Sequence, residues 1–261
     1  MSMSADIRIY FMGFRPCWEH GLNEQGVVVH EYQSLSIPPF HLIKDVVKRK
    51  FNSIPSGRIF LNKYVRDHLS FESRVPYICR DMGVSRNLYG TASENPDYDL
   101  LYCGTLEGRG GLVLELIRLA RLGLKILVVG SISDKMRRNL SKYKSISLVG
   151  RVSRDYLPQV FSRARAGLNY TPDIFPFNIQ TSTKTLEYCA SGMGLVSNDY
   201  AWVRQFSIKY GFKPLWLSNI RNRNDFDSFV FDRPDLYHLE WNRVLSSSGF
   251  DSFLLNLARN A

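Results

Sequence analysis

From Leu100 to Leu217 the sequence repeats one rhythm: a short apolar run, a turn rich in glycine or serine, then an amphipathic stretch. The runs Leu100–Gly104, Lys125–Gly130, Ile146–Gly150, Gly167–Tyr170, Leu195–Ser197 and Pro214–Leu217 read as buried strands. Between them, Leu112–Leu122, Ser133–Tyr143, Ser153–Arg163, Thr183–Ser191 and Ala201–Tyr210 carry helical spacing. Strands alternating with helices at this interval imply a parallel, doubly wound sheet, which excludes all-helical and sandwich folds. Ligands of such sheets bind outside the carboxyl ends of the strands.

The earlier part of the chain is less regular. Ile7–Met12 reads as a strand ending in a turn at Gly13, and Val27–Val29 as a second strand that delivers His30 at its end. Pro38-Pro39 breaks the chain before a helix over Phe40–Phe51. Arg58–Leu61 is a third strand, Asn62–Leu69 a short helix, and Leu236–Ala261 a helical tail. The polar stretch Gly90–Tyr98 marks a boundary, giving expected domains of residues 1–94 and 95–261.

A net charge of +10 points to anionic partners such as nucleotide diphosphates or lipid head groups. No RNA-binding signature or aromatic–basic stripe accompanies that charge, so no nucleic-acid partner is expected. No apolar run approaches a membrane span, and nothing near Met1 has the pattern of a signal peptide. Cys17, Cys79, Cys103 and Cys189 are scattered without a C-x-x-C pair. Neither zinc nor a disulfide framework is indicated, and a cytoplasmic setting fits. The Phe40–Phe51 helix carries Lys44, Lys48, Arg49 and Lys50 beside Phe40, Ile43 and Val47. Either it lies on an anionic membrane, at the inner face, or it packs Ile43 and Val47 on the sheet and exposes its charges.

Chemistry concentrates in Gln180–Ser197. Thr181, Ser182 and Thr183 are good N-cap residues for the helix that follows, and Gly192 and Gly194 turn the chain into the next strand. A hydroxyl-ringed helix N-terminus is an anion site. Lys184 in its first turn opposes the helix dipole unless an anion sits in front of it. Glu187, one turn on, is placed to accept hydrogen bonds from ribose hydroxyls.

The run Ser182-Thr-Lys-Thr-Leu-Glu-Tyr-Cys-Ala-Ser-Gly192 resembles the P-x-K-x-x-E-Y-x-A-x-G signature of GT-B glycosyltransferases, family 4-like. Tyr102–Gly111 is similar to that family's G-[RT]-L-x-x-x-[KR]-G loop, Leu127–Ser131 to its strand and turn, and Ser147–Val152 to the segment bordering the nucleobase. The resemblance covers about residues 98–200. It implies a GT-B fold of two Rossmann-like doubly wound α/β domains, the first reduced. It also implies transfer of a hexose from a UDP- or GDP-linked sugar to a glycan or lipid-linked acceptor, by a retaining, metal-independent mechanism without cofactor, in surface polysaccharide or glycoconjugate synthesis. Catalytic roles fall to Arg109, Lys184, Glu187 and, as acceptor-site residue or base, His30. Donor contacts fall to Gly104, Thr105, Gly130, Ser131, Arg151, Val152, Asp173, Thr181, Ser182 and Thr183.

Two positions depart from the pattern. The family's E-x7-E motif puts its first acid where this chain has Ile179, with Asp173 nearby as a substitute. The N-terminal half, of about 95 residues by the sequence pattern, is short for a GT-B acceptor domain. Both leave open a non-catalytic subunit that supports an active transferase.

Overall fold

A computed structural model describes residues 6–11, 15–19, 26–37, 39–72 and 74–260 of the chain. The expected turn at Gly13 and the first proline of Pro38-Pro39 lie outside these residues. The chain forms two compact units: residues 1–83 with 241–261, and residues 84–240.

The first unit opens with β1 (Ile7–Phe11), β2 (Val27–Tyr32), α1 (His41–Phe51), β3 (Gly57–Phe60), α2 (Lys63–Leu69) and β4 (Tyr77–Cys79). Its four strands pair in parallel in the order β1-β2-β3-β4. α2 begins where Asn62 accepts a hydrogen bond from the Val65 amide at 2.9 Å, satisfying a donor the helix leaves orphaned. β4 was not legible as a strand, because Pro76 and its short length hide it.

The second unit contains β5 (Tyr98–Cys103), α3 (Leu112–Arg121), β6 (Ile126–Val129), α4 (Asp134–Leu140), β7 (Ile146–Val149) and α5 (Leu157–Phe161). It continues with β8 (Ala164–Asn169), α6 (Thr183–Ser191), β9 (Gly194–Ser197), α7 (Ala201–Lys209), β10 (Leu215–Trp216) and the unforeseen α8 (Arg223–Asp227). All six strands are parallel, in the order β10-β9-β8-β5-β6-β7. The chain therefore builds outward from β5 to β7, returns, and builds outward the other way from β8. The switch point lies between β5 and β8.

Periodicity explains the packing. Leu112, Leu116 and Leu119 form the inner stripe of α3 and are fully buried against Leu100, Tyr102, Ile126 and Val128. Each such leucine contributes about 1.5–3 kcal/mol by leaving water. On the other side α6 comes close to β8 at Gly167, where a Cβ would collide with the ring of Tyr188. Tyr188 is fully buried and its hydroxyl accepts from the Cys103 amide at 2.9 Å, which fixes α6 to both β8 and β5. Two expected helices are shorter than their patterns. α4 ends at Leu140, and Ser153–Arg163 starts as a 3-10 turn at Arg154–Tyr156 before α5. Pro158 sits in the first turn of α5, the one place where its missing N–H costs nothing.

The expected domain boundaries need two corrections. Residues 84–94 belong with the second unit, and the C-terminal α9 (Trp241–Ser247) and α10 (Phe250–Arg259) belong with the first. The tail is two helices, broken at Gly249 in the left-handed region (φ 67°). α10 presents Phe250, Phe253, Leu254, Leu257 and Ala258 at helical spacing to Val27, Val29 and Ile59 of the first sheet. Among the described residues of that core cluster, α10 supplies the apolar cover of this sheet face, which brings residues 250–258 back against the first strands.

Candidate functional site

The site lies in the second unit, at the switch point, where ligands of open α/β sheets bind. Two loops leave the carboxyl ends of β5 and β8 there. The first carries Gly104–Arg109 and the second Thr171–Ser182, ahead of α6. Between them is a pocket of about 220 Å³ lined by Arg109, Asn169, Thr171, Phe177, Gln180, Thr181, Ser182, Thr183 and Lys184. No lining residue is acidic.

Ser182 caps α6: its Oγ accepts from the Thr185 amide at 3.4 Å and donates to Asn169 Oδ1 at 3.0 Å. Asn169, buried at the end of β8, donates through Nδ2 to Ser197 Oγ and to Tyr200 Oη, both at 2.9 Å. Behind it, Thr171 and Asn198 exchange two hydrogen bonds of 2.9 and 2.7 Å. This polar frame holds the first turn of α6 against the sheet. The amides of Thr183 and Lys184 belong to that turn, whose N–H groups an α-helix leaves without intrahelical acceptors. Of the three candidate caps, Ser182 is the N-cap of α6, and Thr181 and Thr183 flank it in the pocket wall.

Lys184 reaches back over the β5 loop. Its Nζ donates to Tyr102 Oη at 3.0 Å and lies 4.4 Å from the centre of that ring. The path requires glycine at 104: φ is 144°, and a Cβ there would come within 2.6 Å of Lys184 Cε. Gly130, also left-handed, packs directly on the Gly104 carbonyl, so the loops after β5 and β6 meet at two glycines. Burial, followed by the nearby Arg109 guanidinium, pulls the Lys184 ammonium down to about 7. Arg109 donates through Nη1 to the Tyr170 carbonyl at 3.1 Å and lines the pocket. Two cations and a helix N-terminus therefore converge on one acid-free space.

Glu187 does not line that space. It accepts from Arg154 Nη2 at 3.3 Å; burial raises its carboxyl, and Arg154 opposes the rise. Glu187 follows Lys184 by three residues on α6, and its carboxyl and the Lys184 ammonium both act on the Cys103 thiol. Ser131 accepts from Arg151 Nη2 at 3.2 Å, an exposed link between the loops after β6 and β7, with Val152 partly buried beside it. Thr105 is exposed and its carbonyl accepts from Tyr102 Oη at 2.9 Å.

Two expected site residues stand elsewhere. Asp173 is exposed, accepts from Asn178 Nδ2 at 3.0 Å, and is not part of the pocket wall. His30 lies inside β2 rather than at its end, because the strand runs on to Tyr32. It is fully buried, with Nδ1 3.4 Å from Tyr32 Oη and its ring edge-on to Tyr10. A strand pattern read from three valines stopped three residues too early. Sequence reasoning missed Asn169, Tyr102, Tyr170 and Gln180. Tyr102 and Gln180 begin two of the segments singled out above, yet their spacing assigns them no role; the fold brings Tyr102 and Asn169 to α6. Gln180 has a buried Nε2 with no hydrogen-bond partner among the described residues, in the wall of the pocket. Among the described residues no group of three His, Cys, Asp or Glu side chains is arranged to hold a metal.

No protein-family model matches the sequence, and no curated protein matches it. Solved structures do match. AviGT4, a glycosyltransferase involved in avilamycin A biosynthesis, aligns with a TM-score of 0.51 and 12% identity over 90% of this chain and 67% of its own. Sucrose-phosphate synthase from Thermosynechococcus elongatus aligns with a TM-score of 0.54 and 14% identity over 90% and 67%. HepE of Anabaena, solved with UDP-glucose, aligns with a TM-score of 0.54 and 11% identity over 90% and 72%. At such identities the likeness is one of fold. The chain has the α/β architecture of GT-B proteins, with two parallel sheets, and spans about two thirds of the AviGT4 and sucrose-phosphate synthase chains.

Proposed function

We propose that this chain is a glycosyltransferase that moves a hexose from a UDP- or GDP-linked sugar to a glycan or lipid-linked acceptor, in surface polysaccharide or glycoconjugate synthesis. The observation that carries this reading is the convergence of Arg109, Lys184 and the first turn of α6 on an acid-free pocket at the switch point. When the glycosidic bond to a nucleoside diphosphate breaks, negative charge grows on the leaving phosphate. Preorganised cations and helix N–H groups stabilise that charge most where water is scarce. Arg109 offers a planar fork to two phosphate oxygens, and Lys184 a single charge. A Lys184 held near neutrality takes up a proton as the diphosphate arrives. Positive charge from side chains is the basis for proposing a metal-independent reaction; retention is carried over from the family resemblance alone. HepE, with bound UDP-glucose, supports a UDP-linked donor.

Glu187 accepts from the ribose once Arg154 yields. Gln180, adjacent to Ile179, replaces Asp173 as the side chain proposed to meet the donor sugar, because its Nε2 is in the pocket wall and Asp173 is not. We place the protein in the cytoplasm, at the inner face of the membrane, in keeping with its free cysteines.

The test is nucleotide release from a panel of UDP- and GDP-sugars in the presence of a chelator. Turnover of at least one donor is expected, with Gln180→Ala lowering it. Binding of nucleotide without turnover of any donor would favour the non-catalytic subunit, which Ile179 in place of an acid suggests. Absence of both binding and turnover would overturn the reading.

A further inference from the structure

The loops that enter the amino ends of β3 and β4 enclose a groove in the first unit. One loop carries Asn52, Ser53 and Ile54, the other Phe71, Glu72 and Arg74. A cavity of about 470 Å³ lies at the end of α1, with Arg49, Lys50 and Ser53 in its wall. A second of about 420 Å³ has Arg66 of α2, Arg74 and Tyr77 in its wall. Arg58, Phe71 and Glu72 line both, so the two cavities share a wall. Each has the size of a small-ligand pocket. Ligands of open α/β sheets bind at the carboxyl ends of the strands, and this groove is at the opposite ends. The expectation that Ile43 packs α1 on the sheet is not met: Ile43 is 62% exposed, and the buried residue of α1 is Asp45. Lys48 is ion-paired with Asp45 at 3.9 Å, so α1 brings Arg49 and Lys50 to the groove.

Two buried groups face this groove. Arg58 is 5% exposed; it donates to the Tyr32 hydroxyl, and its Cζ lies 4.2 Å from the centre of the Phe71 ring. Ser53 is 3% exposed, and its Oγ has no hydrogen-bond partner among the described residues. A buried hydroxyl in that state costs free energy that a ligand oxygen would offset. Around them Arg49, Lys50 and Arg74 are exposed and make no ion pair among the described residues, nor does the exposed Glu72. The composition selects the ligand. Guanidinium forks match the plane of a carboxylate. Phe71 and Tyr77, the latter 48% exposed, offer flat apolar faces. Glu72, common to both cavities, accepts from hydroxyl groups and repels a bare anion. A continuous phosphate backbone would set its charges against Glu72. An acidic sugar chain brings hydroxyls to Glu72 and carboxylates to the cations of each cavity. We infer that the groove at the amino ends of β3 and β4 binds an acidic oligosaccharide, its carboxylates held by Arg49, Arg58 and Arg74 and one sugar ring lying against Phe71. The site is separate from the pocket of the second unit and stands whether or not that pocket turns over a sugar nucleotide.

The experiment is calorimetric titration of the full chain with three probes: a hexasaccharide of alternating glucuronate and N-acetylglucosamine, a neutral hexasaccharide of N-acetylglucosamine, and inorganic pyrophosphate. Wild type is expected to bind the acidic chain saturably, more weakly as salt is raised, and not to bind the neutral one. Arg49→Gln, Lys50→Gln and Arg74→Gln together, all at exposed positions, are expected to weaken that binding by about tenfold or more while thermal unfolding and UDP binding stay unchanged. Glu72→Gln separates a sugar site from a bare anion site. It is expected to weaken the acidic hexasaccharide, which loses a hydroxyl acceptor, and to strengthen pyrophosphate, which loses a repelling charge. Failure of wild type to bind the acidic hexasaccharide, or equal affinity in the triple variant, would overturn the inference. So would tighter binding of pyrophosphate or of a single-stranded oligonucleotide than of the acidic hexasaccharide, since the groove would then read phosphate alone. Binding of the acidic hexasaccharide without any binding of UDP would leave this site standing and remove the transferase reading alone.

Discussion

The two units place their polar groups in opposite ways. In the second, strands and helices bury apolar residues on both sides of six strands, and polar side chains gather at one end, around Asn169, Lys184 and Arg109. In the first, the buried polar groups run through the interior: Arg58 against Tyr32 and Phe71, and Glu31 ion-paired with Arg80. Apolar residues are left outside on α1. A unit whose core is apolar derives its stability from burial and can concentrate strain and charge at a ligand site. A unit that buries charged groups beside its apolar cluster depends in addition on satisfied networks, which cost several kcal/mol when one partner is lost.

The sharpest way to break this contrast is to remove residues 241–261. The first sheet would lose the apolar cover that Phe253, Leu254 and Leu257 provide, and the first unit is expected to unfold while residues 84–240 keep their structure. Hydrogen exchange would show protection lost in β1–β4 and retained in β5–β10. Equal loss in both units would mean the two do not fold as separable cores. Leu257→Ala is the milder version, expected to cost about 2–4 kcal/mol in denaturant unfolding.

Next in size is Lys184→Met. It removes a cation aimed at the leaving phosphate, and turnover is expected to fall by about 10²–10³. Because the native Lys184 is held at about 7, well below its ordinary 10.5, the unfolded chain binds more protons between those values. That term therefore opposes folding below about pH 7 and fades as pH rises toward 10.5. Lys184→Met is expected to gain stability over wild type near neutrality and to lose that advantage at pH 10. An advantage that is the same at both pH values would contradict the depressed ammonium. The same titration makes nucleotide affinity fall as pH rises above 7, which Lys184→Met should abolish.

The smallest effect concerns the frame. Asn169→Ala leaves Ser182, Ser197 and Tyr200 without their shared partner and is expected to cost about 1–3 kcal/mol. It should weaken nucleotide binding only through the position of α6. If binding is unchanged, the cap of α6 does not depend on β8.

The sequence made the second unit legible because each of its elements carries its own period and stop signal. Thr183–Ser191 is bounded by a serine cap and Gly192, and it occurs as read. Arg109 was picked out through the family resemblance of its loop and Lys184 through its place in the first turn of α6, and both line one pocket. The first unit was harder to read. Its strands mix His30, Glu31 and Arg58 into buried positions, so alternation fails as a guide to which face is inside. The pairing of α10 with β2 and β3 joins residues from nearly opposite ends of the chain, and no local pattern records it. Gln180 and Asn169 were missed for the same reason: what matters is their place in space beside α6.

The central claim is that Arg109, Lys184 and the first turn of α6 form a nucleoside-diphosphate site. Calorimetric titration of UDP and GDP into the full chain, with chelator present, tests it most directly. The structure predicts saturable one-site binding of at least one of them, weakened by about tenfold or more in Arg109→Ala with Lys184→Met. No binding of either nucleotide to the wild type, or equal affinity in the double variant, would contradict it.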